Sequence, residues 1–308
     1  MTKQAKTFNN VMTIFIHLLT SISMKKDATV MASITSEGES PSTINVLISG
    51  FASKALSFLK SSMYSLIGFA VLIGGWQLVS IVTKGELPTP AATLTVLLEL
   101  LKDPFYDYGP NDKGIALQLF SSLGRVFLGF SLGSLVAIPI GLLMGANEFS
   151  RKVFYPIVQI LKPVSPLAWF PIGLVAFQSA SHATIFIIFI TSLWPTLINT
   201  SFGVASIPDD HKNVAKAFGF SKWKYLTKVL IPFSLPHIIT GLRLSIGVAW
   251  LVIVAGEMLS GGMGIGFFVW DSWNALSLEK VISAILIIGI VGLLLDRIFS
   301  FIEKKVTY

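Results

Sequence analysis

Five polar side chains stand inside, or at the rims of, long apolar stretches where a lipid bilayer makes charge costly: Arg125, Lys162, Ser165, Arg243 and Glu257. Ionisable groups at such depth mark solute paths or pair with one another. The functional reading of such groups is that they line the route of a transported solute. Transport also requires that each contact along the route be weak enough to release the solute. The competing reading for Arg125 and Arg243 is that their long stems carry the charge outward to the headgroups. Glu257, deeper toward the outer side, is expected to pair with a backbone donor or another helix. The chain contains no Cys, which removes thiolate metal sites and cysteine catalysis. No catalytic residue, metal site or cofactor is expected.

A second constellation lies between Asp209 and Pro236, where five lysines punctuate a segment wedged between apolar stretches. Residues 212–217 read as a short helix, Gly219 permits a bend, and a second helix runs from about Ser221 to Leu230 with a stop at Pro232. Phe218, Phe220, Trp223 and Tyr225 cluster around the bend. Aromatic residues in a basic loop also occur at membrane interfaces. Two helices broken by a Gly, however, are the form of a knob that enters a partner's groove.

The elements that must hold these residues follow from composition. Only 13% of the 308 residues are charged and the mean hydropathy is +0.75, against about 25% charged in a soluble domain. The net charge of +7 is too scattered for a nucleic-acid face. Charge-free intervals place spans at Ser61–Thr83 and Val126–Asn147, two more within Pro163–Pro208, a fifth from about Pro236 to Ser260 and a sixth from after Lys280 to about Phe301. The fold class is therefore all-α, a polytopic membrane protein with six transmembrane helices. Residues 1–60 form a cytoplasmic, partly disordered segment, 61–83 the first helix, 84–117 an external loop, and 118–303 a five-helix core that carries the loop 209–235. Lys and Arg concentrate before the first span, after the second and fourth, and at the C-terminus, which places both termini in the cytoplasm.

The apolar run Val11–Thr20 is too short to span, and no cleavage pattern follows it. Ser33–Thr43 reads as linker, and Met24 and Met31 leave a later start open. Gly129 and Gly133, and Gly141 and Gly145, stand four apart, so one helix face admits a close neighbour, although Gly is common in membrane helices generally. In L-K-P-V-S-P-L-A-W-F-P, Pro163, Pro166 and Pro171 forbid a regular helix. Freed carbonyls at membrane depth must be buried in protein or face water, so this segment is either a path lining, with Lys162 and Ser165 near its cytoplasmic half, or a rigid kink.

The order Asn213-Val214-Ala215, three residues, Gly219, nine residues, Val229-Leu230-Ile231-Pro232 resembles the EAA loop of the permease subunits of ATP-binding-cassette importers. The resemblance covers about residues 118–303. Asn213 departs from it, because the family has a Glu there. Within the family the likeness is closer to the cyanobacterial nitrate/nitrite permease and its bicarbonate relative than to the sulfonate and taurine permeases. The resemblance implies a type I importer permease fold in the plasma membrane, two copies of this chain, two cytoplasmic ATP-binding subunits and a periplasmic or lipid-anchored solute-binding protein. It implies a coupling surface of Asn213, Val214, Ala215, Lys216, Phe218, Gly219, Lys222, Trp223 and Pro232, and a nitrate or nitrite substrate, with bicarbonate or a sulfonate as alternatives. No G-x-x-x-x-G-K-[S/T] loop occurs in the chain, so ATP hydrolysis belongs to partners. The rival of a different class is an ion-driven secondary carrier, which would show internal repeats; none is visible.

Overall fold

The computed structural model describes residues 63–109 and 112–306. Expectations about the first 60 residues lie outside these. Among the described residues all regular structure is helical, apart from an isolated bridge between Asp107 and Lys113. Five helices among the described residues are long and apolar enough to cross a bilayer. They are α1 (Met63–Val82), α3 (Ile115–Ala146), α6 (Ala180–Ala205), α8 (Lys222–Ser260) and α10 (Leu278–Val306). A bent pair, α4 (Glu148–Leu161) with the segment Pro166–Phe177 that contains α5 (Phe170–Phe177), supplies a sixth as one broken span. Three shorter helices complete the set: α2 (Pro90–Leu100), α7 (Asp209–Ala217) and α9 (Ile265–Asn274).

The centre of the fold is α6, sandwiched between α3 and α8. The α3–α6 contact is made by the glycines at four-residue spacing. A methyl group on Gly141 would stand 2.7 Å from the Leu197 carbonyl oxygen, and one on Gly145 2.5 Å from Val204 Cβ. Gly129 and Gly133 face Ile185, Ile188 and Phe189 with equally little room. Lipid tails give apolar helices little reason to associate by burial alone, so close backbone approach of this kind carries the packing. Between α6 and α8, Ser245 Oγ donates to the Ser192 carbonyl and shares a hydrogen bond with Thr196 Oγ1 at 2.7 Å. Short α2 is capped by Thr89, and its Thr93 carbonyl accepts from Ser283 on α10.

Three boundaries differ from the sequence expectation. α3 starts at Ile115, well before Val126, because Arg125 is not a boundary but a neutralised residue within the helix. The third span does not begin at Pro163: it begins at Glu148 and breaks at residues 162–165, with a bend of 96°. Pro232 does not stop the helix that precedes it. The chain passes through Leu226–Leu230 as a π-helical turn, in which the Ile231 N–H donates to Leu226 O five residues back. The wider turn moves the preceding carbonyls away from the Pro232 ring, which would otherwise clash one turn back. As a result α8 runs unbroken from the basic loop into the bundle.

Candidate functional site

The basic segment is built as a knob on a buried base. α7 opens with Asp209 and Asp210 at its positive end and closes with Lys216 at its negative end. Lys212 donates to Asp209 at 2.9 Å, which holds that carboxyl below the usual carboxylate range. The helix then ends in a reversal: Phe220 N–H reaches back to Ala215 O, Gly219 N–H to Lys216 O, and Gly219 takes φ +63°. A methyl at Gly219 would meet nothing within 4 Å, so backbone conformation and not space requires glycine here. Ser221 caps the start of α8 through the Lys224 N–H. Beneath the turn, Val204, Ile207 and Leu230 form a buried cluster with Tyr225, Leu226 and Val229 against them. Above it, Phe218 and Trp223 are about three-quarters exposed and Val214 more than half. Lys224 lies over the Phe220 ring at 4.3 Å. Asn213, Lys216 and Lys222 are exposed beside this tip, while Ala215 is buried under it and Pro232 lies in the shaft of α8.

The five polar residues of the apolar stretches separate into three places. Arg125 and Glu257 come together. The Arg125 guanidinium donates to Glu257 Oε1 and to the Met263 carbonyl, both at 2.6 Å, and its Nε donates to Ser181 at 3.1 Å. Glu257 is fully buried. Its other oxygen accepts from Ser122 Oγ at 2.7 Å and from the Gly266 N–H at 3.0 Å. Ser122 also accepts from the Ile265 N–H, and Gln118 from the Gly264 N–H. Glu257 therefore sits as a resident anion at the N-terminus of α9, where backbone N–H groups and the helix dipole favour negative charge. Gly264 is obligatory: a methyl there would fall 2.2 Å from the Glu257 carboxyl carbon.

Arg243 is held elsewhere, on the half of the bundle that carries the basic knob. It donates to both oxygens of Asp296 at 2.8 and 3.0 Å and to Glu303 at 2.7 Å, while Thr240 donates to Glu303 at 2.6 Å. These contacts tie α8 to α10. Arg125 is thus paired with a buried carboxylate, and Arg243 with two partly exposed carboxylates of α10. Lys162 and Ser165 lie at the break of the third span, both exposed. Lys162 makes no ion pair among the described residues.

Sequence reasoning missed Gln118 and Ser122, two turns and one turn before Arg125 on the same face of α3, and it missed Thr240 and Glu303. The glycine run Gly261-Gly262-Met263-Gly264-Ile265-Gly266 directly after a membrane carboxylate was a usable signal for the first group. Three of those glycines adopt positive φ, which marks a turn that carries N–H groups back toward Glu257.

Residues 137–308 match the family described as the inner-membrane component of binding-protein-dependent transport systems. The nitrate import permease protein NrtB of Synechocystis sp. is 45% identical over 240 residues, covering 78% of this chain and 87% of that protein. The bicarbonate transport system permease protein CmpB of Synechocystis sp. is 47% identical over 247 residues, covering 79% and 87%. Among solved structures, the fold resembles a chain of the MetNI methionine ABC transporter with a TM-score of 0.56 at 16% identity, covering 63% of this chain and 96% of that one.

Proposed function

The chain belongs to the inner-membrane components of binding-protein-dependent transport systems, as a multi-pass permease subunit of an ATP-binding-cassette importer, and within that family we propose that it forms the membrane path for a small monovalent oxyanion, nitrate or nitrite foremost. The reading of an ion-driven carrier falls with the family assignment. The proposal rests on one observation: over about four-fifths of its length in each case, the chain is 45% identical to a nitrate permease and 47% identical to a bicarbonate permease. What those two solutes share is size, planarity and a single negative charge.

In this reading two copies of the chain pair, and both termini and residues 209–235 face the cytoplasm. Two ATP-hydrolysing subunits grip the knob, with Phe218, Trp223 and Val214 entering the groove and the lysines around them fixing the register. Because α8 runs without interruption from Lys222 to Ser260, a displacement of the knob moves the fifth span directly. Closure of the nucleotide-bound ATPases turns the path outward to receive anion from a solute-binding protein, and hydrolysis returns it inward. Asn213 lacks the carboxylate of the family pattern, so docking relies on the apolar tip and the lysines. Arg125 and Glu257 neutralise each other and serve to anchor the α9 turn, which leaves Lys162, with Ser165, as the unspent cation at mid-span.

Bicarbonate is the second reading, carried by the CmpB identity. The experiment is uptake of labelled nitrate, nitrite and bicarbonate into vesicles that contain the permease with its ATPase and binding protein. ATP-dependent nitrate uptake is the expected result. Uptake of bicarbonate alone removes the nitrate reading, and ATP-independent uptake removes the coupling scheme.

A further inference from the structure

The helix before the break, α4, has three distinct faces. At about 100° per residue, Phe154, Val158 and Leu161 share one side, and Val158 is buried in a cluster with Ala137 and Met144 of α3 and Leu197 of α6. Phe149, Val153, Ile157 and Ile160 share a second, where their exposures of 44–73% are those of a lipid-facing surface. Glu148, Lys152, Tyr155, Gln159 and Lys162 recur at alternating spacings of four and three and fill a third sector about 80° wide. That polar stripe is uncovered throughout: Lys152 is 75% exposed and Tyr155 51%.

The stripe runs inward from the end of the bundle at which α3 and α6 finish. Ala137 is nine residues from the end of α3 and Leu197 eight from the end of α6, so the Val158 cluster reaches roughly 12–14 Å into the bundle. Beyond the break, Phe170 packs with Ala183 and Ile187 near the opposite end of α6. The pair therefore crosses the bundle from one end to the other, with its break between. A continuous polar stripe along such a span is tolerated only where it meets water or another polar surface. Its charges are also unbalanced. Glu148 is engaged by Lys152 at 3.1 Å, whereas neither Arg151 beside the stripe nor Lys162 at its end makes an ion pair among the described residues. At its start a recess of about 360 Å³ is lined by Arg151, Lys152, Tyr155 and Pro156, and further along Gln159 donates to the Tyr155 hydroxyl.

We infer that this stripe is the wall of the water-filled passage between the basic-knob side and the break, and that Tyr155 and Gln159, with Lys152 and Lys162, form the sequence of weak sites over which a small oxyanion moves. The phenol and amide offer neutral donors between two cations, so an anion is drawn in without being trapped. The inference rests on the oxyanion-permease reading given above and adds the residues of the path.

The absence of Cys from the chain makes the test direct. Single cysteines replace Tyr155 and Gln159 on the stripe, and Val153 and Ile160 on the apolar face, in the complete transporter with its ATPase and binding protein in vesicles. Each is treated with the anionic reagent sulfonatoethyl methanethiosulfonate. The stripe cysteines are expected to react at least an order of magnitude faster than the apolar ones. Saturating nitrate and trapping of the ATPases with vanadate should each slow that reaction. Equal rates on the two faces overturn the inference. So does fast reaction that neither an anion nor the nucleotide state alters, which is the behaviour of a surface helix, and so does slow reaction on both faces, which is that of a stripe covered by a second copy. Protection by bicarbonate but not nitrate supports the passage while removing the nitrate reading. In the Cys-free parent, Tyr155→Phe should raise KM for uptake several-fold, and an unchanged KM would remove the phenol from the path.

Discussion

Removing Arg125 tests whether the buried carboxylate on α8 is a structural anchor or a free element of the path. In Arg125→Ala, Glu257 keeps Ser122 and the Gly266 N–H but loses the guanidinium at 2.6 Å, and the Met263 carbonyl loses its donor. Because Glu257 is fully buried, the charge left behind has no route to water. Breaking a buried pair in this way costs about 3–5 kcal/mol, or roughly two to four orders of magnitude in the folded-to-unfolded ratio. Glu257→Gln should cost less, about 1–3 kcal/mol. The amide still accepts from Gly266, and the Arg125 side chain is 17% exposed, enough for partial hydration. The reversed pair, Arg125→Glu with Glu257→Arg, should not recover stability. A guanidinium placed at the start of α9 would meet the Gly266 N–H, donor against donor, at the positive end of the helix dipole. The assay is gel filtration of the detergent-purified complex after heating, scored as the temperature at which half the monodisperse peak is lost. The order expected from most to least stable is wild type, Glu257→Gln, Arg125→Ala, with the reversed pair no better than Arg125→Ala. A reversed pair that restores wild-type stability would refute the helix-terminus argument. Arg125→Ala with unchanged stability and reduced uptake would instead make that arginine part of the path.

Gly141→Val should disrupt the α3–α6 contact and lower the yield of folded protein sharply, since even a methyl would stand 2.7 Å from the Leu197 carbonyl; Gly68→Val, where nothing lies within 4 Å, should be recovered like wild type by the same gel filtration. Gly219→Val should abolish ATP-driven uptake while the purified chain remains monodisperse, because the left-handed backbone at φ +63° excludes a β-branched residue; Asn213→Ala should do much less, and normal uptake in Gly219→Val would remove the knob from the coupling scheme. Lys162→Ala should slow anion uptake and Lys162→Glu should slow it further through like-charge repulsion, whereas equal rates for wild type and Lys162→Glu would place that side chain off the route. Cysteines introduced at Lys26, Gly219 and Lys304 should react in intact cells only with membrane-permeant reagents and one at Asp107 with impermeant reagents, and external labelling at Gly219 would reverse the proposed orientation.

Hydropathy alone exposed most of the spans, because a helix in lipid must satisfy its own backbone and therefore appears as a long uncharged run. The knob was equally legible: Gly219 before a capping serine, with aromatics on either side, is a local pattern, and local patterns survive without knowledge of the fold. Legibility failed where a residue's meaning depended on a partner far along the chain. Arg125, Lys162 and Arg243 look alike in sequence, each a single cation beside an apolar stretch. What separates them, among the described residues, is a carboxylate 132 residues away for Arg125, two on α10 for Arg243, and none for Lys162. The boundary errors have the same origin, since counting Arg125 as an end of the second span follows only if its charge is unpaired. Pro232 misled in the complementary way. Its ring does preclude a regular α-helical turn, but a π-helical turn supplies the missing space at the cost of one extra residue, and a proline that would have uncoupled the knob from the fifth span sits within the continuous rod that joins them.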